Sequence, residues 1–230
     1  MTKLVDLLDS LKYRRTFGFM DDFDAYSSGG RWTSVLNNSG TATVGDVTGG
    51  VLSLTASGGS PALNDESYLR STNAIFLFNA NKPIVFEAAI QFTEANVNNA
   101  NIIVGLMNGV AAGALVNGSA GPKTSYSGMT FFKQGGTNVW SCQTSLGSSQ
   151  ATLATPTAAG GSSFHTLTGQ WQPINTTQAE GRFFIDGLLV ANQLFTFTGG
   201  VQMQLMAGVK NGSSSKETLL LDYLAGYQLR

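Results

Sequence analysis

Charged side chains are scarce in this sequence. Asp, Glu, Lys and Arg make up 12% of the 230 residues, whereas an average soluble domain has about 25%. The 13 basic and 14 acidic residues nearly cancel, so the molecule has no overall field that would attract nucleic acid or anionic lipid. We therefore expect neither nucleic acid nor a membrane among its partners. The 28 glycines indicate a surface made of many short turns.

Residues that commonly bind metals are also few. The sequence has one cysteine, Cys142, and one histidine, His165. A lone cysteine cannot form an internal disulfide, and the usual zinc sites need about four nitrogen or sulfur ligands. His165 lies in a segment of alternating polarity, which favours a structural role in a strand. We predict no metal and no cofactor.

The N-terminal segment has the only convincing helical pattern. No run of 18 apolar residues exists, so we expect no membrane-spanning helix. The apolar part of the N-terminus precedes its basic part, which is the reverse of a secretory leader. Residues 1–16 predict an amphipathic arm that contacts a partner, or alternatively packs on its own domain. The predicted contact residues are Leu4, Leu7, Leu8, Leu11, Lys12, Arg14 and Arg15.

Residues 17–230 predict one β domain. In Ile84–Phe92, large apolar side chains alternate with residues such as Glu87, which is the pattern of a half-buried strand. Asp186-Gly187, between two apolar runs, predicts a tight hairpin. About a dozen short strands with turns between them predict an all-β, antiparallel two-sheet β-sandwich or jelly roll. We expect loops at 113–124 and 146–163, and the second is long enough to serve as a contact loop.

The order of several segments resembles the concanavalin A-like lectin/glucanase superfamily, including laminin-G-like modules. The resemblance covers residues 17–230 and implies a concanavalin A-like sandwich. It rests on the following segments in order: Asp22-Phe23, Trp32, Phe86–Phe92, Val104–Leu106, His165–Trp171, the hairpin Phe183–Val190 and Leu219–Tyr223.

The resemblance also implies where catalytic groups would lie. Glucanases of the superfamily carry Glu-x-Asp-x-x-Glu on one strand, because a general acid and a nucleophile must flank one glycosidic bond. This string is absent, and the one pair of carboxylates two residues apart, Asp22 and Asp24, is interpreted as part of a turn, with calcium binding as the alternative. The Asn-rich stretch 96–101 contains no aspartate for a lectin-type metal site. We therefore predict no catalytic residues and a protein that is not an enzyme.

Three functions fit these observations. The neutral surface and basic arm resemble capsid decoration proteins of tailed bacteriophages, so the first hypothesis is a non-enzymatic virion protein. It would bind the major capsid protein or another virion protein, form a homo-oligomer such as a trimer, and reside in the virion. The alternative is a carbohydrate-binding, lectin-like module in which Trp140 and Tyr126 stack on a glycan. A glycosidase would require carboxylates that converge from different strands.

Overall fold

The chain forms two β-sheets. A computed structural model describes residues 16–45, 49–95 and 98–230, and every regular element in these ranges is a β-strand. The first sheet contains β1 (Thr16–Asp21), β3 (Thr41–Gly45), β4 (Val51–Thr55), β7 (Ile84–Gln91), β12 (His165–Pro173), β13 (Gln178–Ile185), β14 (Leu188–Thr196) and β16 (Thr218–Leu229). The second contains β2 (Trp32–Asn37), β5 (Glu66–Ser71), β6 (Phe76–Phe78), β8 (Ala100–Met107), β9 (Gly128–Lys133), β10 (Val139–Leu146), β11 (Ser149–Ala158) and β15 (Val201–Asn211).

Neighbouring strands are antiparallel in both sheets. The order in the first sheet is β14-β13-β12-β7-β16-β4-β3, and β1 also pairs with β16. The order in the second sheet is β11-β10-β9-β8-β15-β5-β2, and β6 also pairs with β15. The prediction of an all-β, two-sheet sandwich is confirmed. Residues 1–15, which contain all seven predicted contact residues of the arm, lie outside the described residues.

The main core lies between the sheets. The alternation seen in β7 places Phe86 among the fully buried side chains that fill this space. The rings of Phe86 and Phe131 of β9 pack edge to face with their centroids 6.2 Å apart. The rings of Phe131 and Phe183 of β13 pack in the same manner with their centroids 5.1 Å apart. Such edge-to-face pairs are a favoured aromatic geometry. These contacts join the two sheets at their centre.

Two strands were not predicted from the sequence. β11 occupies much of the segment 146–163 that was expected to be a loop, so that expectation was wrong. β11 is an edge strand of small and polar residues, which is held by backbone pairing with β10 rather than by a buried face. β5 begins with Glu66 and includes Arg70, which obscured its strand pattern. Glu66 is paired with Lys210 of β15, and Arg70 donates a hydrogen bond to the carbonyl of Thr72.

The outer face of the second sheet is covered by residues 108–127, which we call the covering segment. A small second core lies beneath and within this segment. It consists of Tyr68, Ile103, Met107, Val110, Ala114, Leu115, Tyr126, Phe132 and Met206. The second sheet is therefore buried on both faces in this region.

A buried ion pair attaches the covering segment to the sheet. The Nζ of Lys210 lies 2.8 Å from Oε2 of Glu66, and both side chains are 2% exposed. Glu66 also accepts hydrogen bonds from the Tyr68 hydroxyl (2.8 Å) and from the backbone N–H of Gly113 (2.8 Å). Lys210 donates to the carbonyl of Leu115 at 3.0 Å, and the N–H of Leu115 donates to the Tyr68 hydroxyl at 3.1 Å. The charges are thus compensated by one another and by the backbone of the segment.

Substitution of Lys210 by methionine tests this arrangement. We expect the free energy of unfolding to fall by about 3–5 kcal/mol, because Glu66 is left buried without its cation. Urea unfolding followed by tryptophan fluorescence measures the change. Arg182→Met is the matched control, since Arg182 forms a partly exposed ion pair with Glu180 and should lose no more than about 1 kcal/mol. Equal losses in the two variants would contradict the proposed role of the buried pair.

Candidate functional site

A groove opens on the outer face of the first sheet. It has a volume of about 300 Å³. We call it the first-sheet groove. It is lined by Glu87, Thr166, Thr168, Asp186, Gly187 and Tyr223.

Strand register explains how the groove forms. Ala89 of β7 is paired with Thr166 of β12 on one side and with Tyr223 of β16 on the other. The small side chain of Ala89 lies between two larger polar side chains on the same face, which leaves a hollow above it. In the adjacent row, Glu87 of β7 is paired with Thr168 of β12. Four polar side chains from three neighbouring strands therefore meet at one place.

Glu87 is the central polar group of the groove. Its side chain is largely buried, and its two oxygens accept hydrogen bonds from the Thr168 hydroxyl at 2.7 Å and from the Tyr223 hydroxyl at 2.9 Å. Burial, together with the negative charge of Glu87, raises the pKa of Tyr223 above its usual value. The Tyr223 hydroxyl consequently stays protonated and donates a hydrogen bond to the carboxylate. This network fixes both side chains before any ligand binds.

A second carboxylate lies at the rim. Asp186 occupies the first position of the β13–β14 turn with φ of 51°, and Gly187 follows with φ of 79°, a combination typical of a type I′ hairpin. The Asp-Gly hairpin predicted from the sequence is therefore present. Asp186 accepts a hydrogen bond from the N–H of Thr166 at 2.9 Å, and its Oδ2 lies 2.8 Å from Nδ1 of His165. His165 was interpreted as a structural strand residue, and the structure places it beside this carboxylate.

The chemical capacity of the groove follows from these groups. Its lining presents two carboxylates and three hydroxyl groups, and the tyrosine ring adds an apolar surface. The His165 imidazole contacts the Asp186 carboxylate. Such groups recognise polyhydroxylated ligands, because carboxylates accept strong hydrogen bonds from hydroxyl groups. In the described parts of the chain, no group of three or more His, Cys, Asp and Glu residues could hold a metal ion.

The two aromatic residues that were predicted to stack on a glycan lie elsewhere. Trp140 is 1% exposed and packs against Phe92 in the main core. Tyr126 is 2% exposed, and its hydroxyl bonds to Thr130 and Gln143 on the second sheet. Neither ring offers a face to a sugar. The prediction of stacking on these two residues does not fit their burial and is corrected.

The pair Asp22 and Asp24 lies in the chain segment between β1 and β2. The neighbouring Asp21 makes the local contacts there, since it accepts hydrogen bonds from the N–H of Phe23 at 3.0 Å and from Nε1 of Trp32 at 2.8 Å. Phe23 has a positive φ of 54° and is fully buried. This geometry is that of a tight turn held by Asp21.

Sequence reasoning did not identify Glu87, Thr166, Thr168 and Tyr223 as a site. One signal was available, because Glu87 is the one charged residue among the outward positions of β7. A second signal was the position of His165. It is the first residue of β12, and β12 pairs with β13, the strand that leads into the Asp186 turn. The pairing of β7 with both β12 and β16, which brings the residues together, depends on long-range topology and cannot be read from local patterns.

Comparison with known proteins identifies the fold. The sequence matches no protein-family model and no curated protein sequence. Among solved structures, an endo-1,3-β-glucanase from Streptomyces sioyaensis has a TM-score of 0.63 and 17% identity, covering 94% of this chain and 97% of that one. The carbohydrate recognition domain of Emp47p has a TM-score of 0.62 and 10% identity, and the match covers 93% of this chain and 96% of that one. An endo-β-1,4-glucuronan lyase from the fungus Trichoderma reesei has a TM-score of 0.56 and 13% identity, covering 90% and 94%.

These structures share the concanavalin A-like lectin/glucanase sandwich, so the fold implied by the sequence resemblance is confirmed. At such identities the likeness shows the fold alone. The prediction that this protein is not an enzyme is corrected, because the similar structures include a glucanase and a lyase and the fold is therefore compatible with catalysis. None of the three is a virion protein. The capsid partner, the trimer and the virion location stay predictions.

Two substitutions of Asp186 test whether its carboxylate stabilises the β13–β14 turn. Alanine removes both acceptors and is strained at a positive φ, so we expect a loss of about 2–3 kcal/mol in the free energy of unfolding. Asparagine tolerates this φ and keeps one acceptor, so its loss should be below about 1 kcal/mol. Urea unfolding measures both. Equal losses would show that the carboxylate does not hold the turn through these bonds.

Proposed function

We propose that this protein is a carbohydrate-binding, lectin-like module and that the first-sheet groove is its sugar site. The observation that carries the proposal is the Glu87 carboxylate, which is held in place by two hydroxyl groups at the base of an open hollow. A buried carboxylate that already accepts two hydrogen bonds is oriented without further loss of side-chain freedom. Preorganisation of this kind favours binding, because less conformational entropy is lost when the ligand arrives.

The shape of the groove supports the same proposal. Sugars offer hydroxyl groups at their edges and C–H groups on their faces, so their sites combine acceptors with an apolar surface. Glu87 and Asp186 supply acceptors, and the Tyr223 ring supplies apolar surface. Among the described lining residues there is no Lys or Arg, which favours neutral sugars over sugar acids.

The other broad face gives less room for a ligand. On the second sheet, the covering segment occupies the outer surface and uses the polar groups there for its own hydrogen bonds. The likeness to a carbohydrate recognition domain agrees with the proposal at the level of fold. The likeness to a glucanase means that a bound glycan has to be checked for cleavage as well.

A binding assay with wild type and Glu87→Gln tests the proposal. A glycan array of neutral oligosaccharides identifies a ligand, and isothermal titration then measures its affinity. Loss of the carboxylate removes charge-assisted hydrogen bonds worth about 1.5–3 kcal/mol, so we expect binding at least about tenfold weaker. Glu180→Gln, which alters another carboxylate on the outer face of the same sheet, should bind like wild type.

The same samples are incubated with β-1,3-glucan, β-1,3-1,4-glucan and glucuronan, and new chain ends are detected. Cleavage that is lost in Glu87→Gln would assign an enzymatic activity to the first-sheet groove. The proposal is contradicted if no glycan binds, or if Glu87→Gln and Glu180→Gln weaken binding equally.

A further inference from the structure

We propose a second ligand site, for a small uncharged polyhydroxylated molecule, in a cleft at one edge of the sandwich. The cleft has a volume of about 300 Å³ and lies between the β10–β11 hairpin of the second sheet and strands β13 and β14 of the first. It is separate from the first-sheet groove, with which it shares no lining residue. We call it the edge cleft. Its walls are formed by Thr144, Leu146, Ser149, Gln150, Ala151, Gln178, Leu194, Phe195 and Thr196.

The most deeply buried wall residue is Thr144, at 1% exposure. It lies on β10 and faces Gly181 of β13 across the sandwich. A Cβ atom at Gly181 would come within 2.8 Å of the Thr144 methyl carbon, so the absence of a side chain there makes room for Thr144. The methyl group thus packs towards Gly181, and the hydroxyl group needs a hydrogen-bond partner in another direction.

The Thr144 hydroxyl has no hydrogen-bond partner within the described parts of the chain. Buried hydroxyl groups in folded proteins are nearly always paired, because an unpaired one has lost its hydrogen bonds to water at a cost in stability. A ligand that fills the edge cleft and bonds to Oγ1 would remove this cost. The free hydroxyl is therefore a specific reason to expect a polar ligand in the cleft.

A second unpaired atom lies close to the same glycine. Gln193 of β14 is paired in register with Gly181. Its Nε2 donates to the carbonyl of Cys142 at 3.3 Å, whereas its Oε1 has no partner among the described residues. An amide oxygen only accepts hydrogen bonds. Gln193 is not one of the wall residues of the edge cleft, so its oxygen shows that the polar groups beside Thr144 are incompletely paired, and Thr144 is the wall residue to which the ligand would bond.

The remaining walls define the chemistry of the ligand. All nine lining residues are uncharged, so a charged ligand would lose its hydration without gaining a counter-charge. Leu194 and Phe195 contribute apolar surface. Gln150 and Gln178 contribute amides, although Nε2 of Gln150 already donates to the Lys123 carbonyl and Oε1 of Gln178 accepts from Asn175. The volume is at the lower end of the range for ligand sites, about 300–1,000 Å³. These properties fit a molecule of monosaccharide size and neutral charge.

A titration followed by methyl NMR tests the proposal. The full chain, labelled at threonine and leucine methyl groups, is titrated with methyl β-glucopyranoside. We expect saturable shifts of the Thr144 and Leu194 methyl resonances, in wild type and equally in Glu87→Gln. Because Glu87→Gln affects only the first-sheet groove, this variant separates a failure of the second site from a failure of the proposed function.

Two substitutions of Thr144 complete the test. Thr144→Val keeps the shape and removes the hydroxyl, so binding reported by Leu194 should weaken at least tenfold while the melting temperature stays the same or rises. Thr144→Ser keeps the hydroxyl and should bind within threefold of wild type, as should the control Thr43→Val on an exposed position of β3. The proposal is overturned if Leu194 does not shift in wild type, which would mean that only water fills the cleft, or if Thr144→Val binds as wild type does.

Discussion

The buried pair of Glu66 and Lys210 is the interaction on which the arrangement of this molecule depends. A charge in the interior is tolerated only when it is paired and when its remaining hydrogen-bonding capacity is used. Here the backbone of the covering segment, at Gly113 and Leu115, supplies the missing partners. The segment is therefore held against the second sheet by the same bonds that make the ion pair tolerable. One consequence is that the covering segment occupies the outer face of the second sheet in this region, whereas the first-sheet groove opens on the other sheet.

The same rule distinguishes the two sites. In the first-sheet groove, the carboxylate of Glu87 is satisfied by two hydroxyl groups, so the site is ordered and its acceptors are oriented before a ligand arrives. In the edge cleft, the hydroxyl oxygen of Thr144 has no partner among the residues that the structure describes. The first arrangement favours binding through preorganisation, and the second favours it because the ligand supplies a missing bond. Both sites are built from neutral or acidic groups, in keeping with a chain that has few charges.

Local patterns in the sequence predicted what depends on neighbouring residues. The alternation in β7 placed Phe86 in the core, and Asp186-Gly187 defined a hairpin because few residues accept a positive φ at both central positions. Patterns failed where distant residues decide the outcome. β5 was missed because it begins with a charged residue, Glu66, whose cation lies 144 residues away in the sequence. β11 was missed because it is an edge strand and has no apolar face. Trp140 and Tyr126 were assigned to a glycan by residue type alone, whereas their burial depends on the packing of whole sheets. The groove itself arises from the pairing of β7 with β12 and β16, which no local pattern specifies.

If the proposed function holds, one outer face of the sandwich binds carbohydrate and the other does not. The most direct measurement is a crystal structure of the protein with a neutral oligosaccharide bound. We expect sugar density in the first-sheet groove, with a hydroxyl group within hydrogen-bonding distance of Glu87, and an undisturbed covering segment. Sugar bound on the outer face of the second sheet, with the covering segment displaced from Glu66 and Lys210, would contradict it.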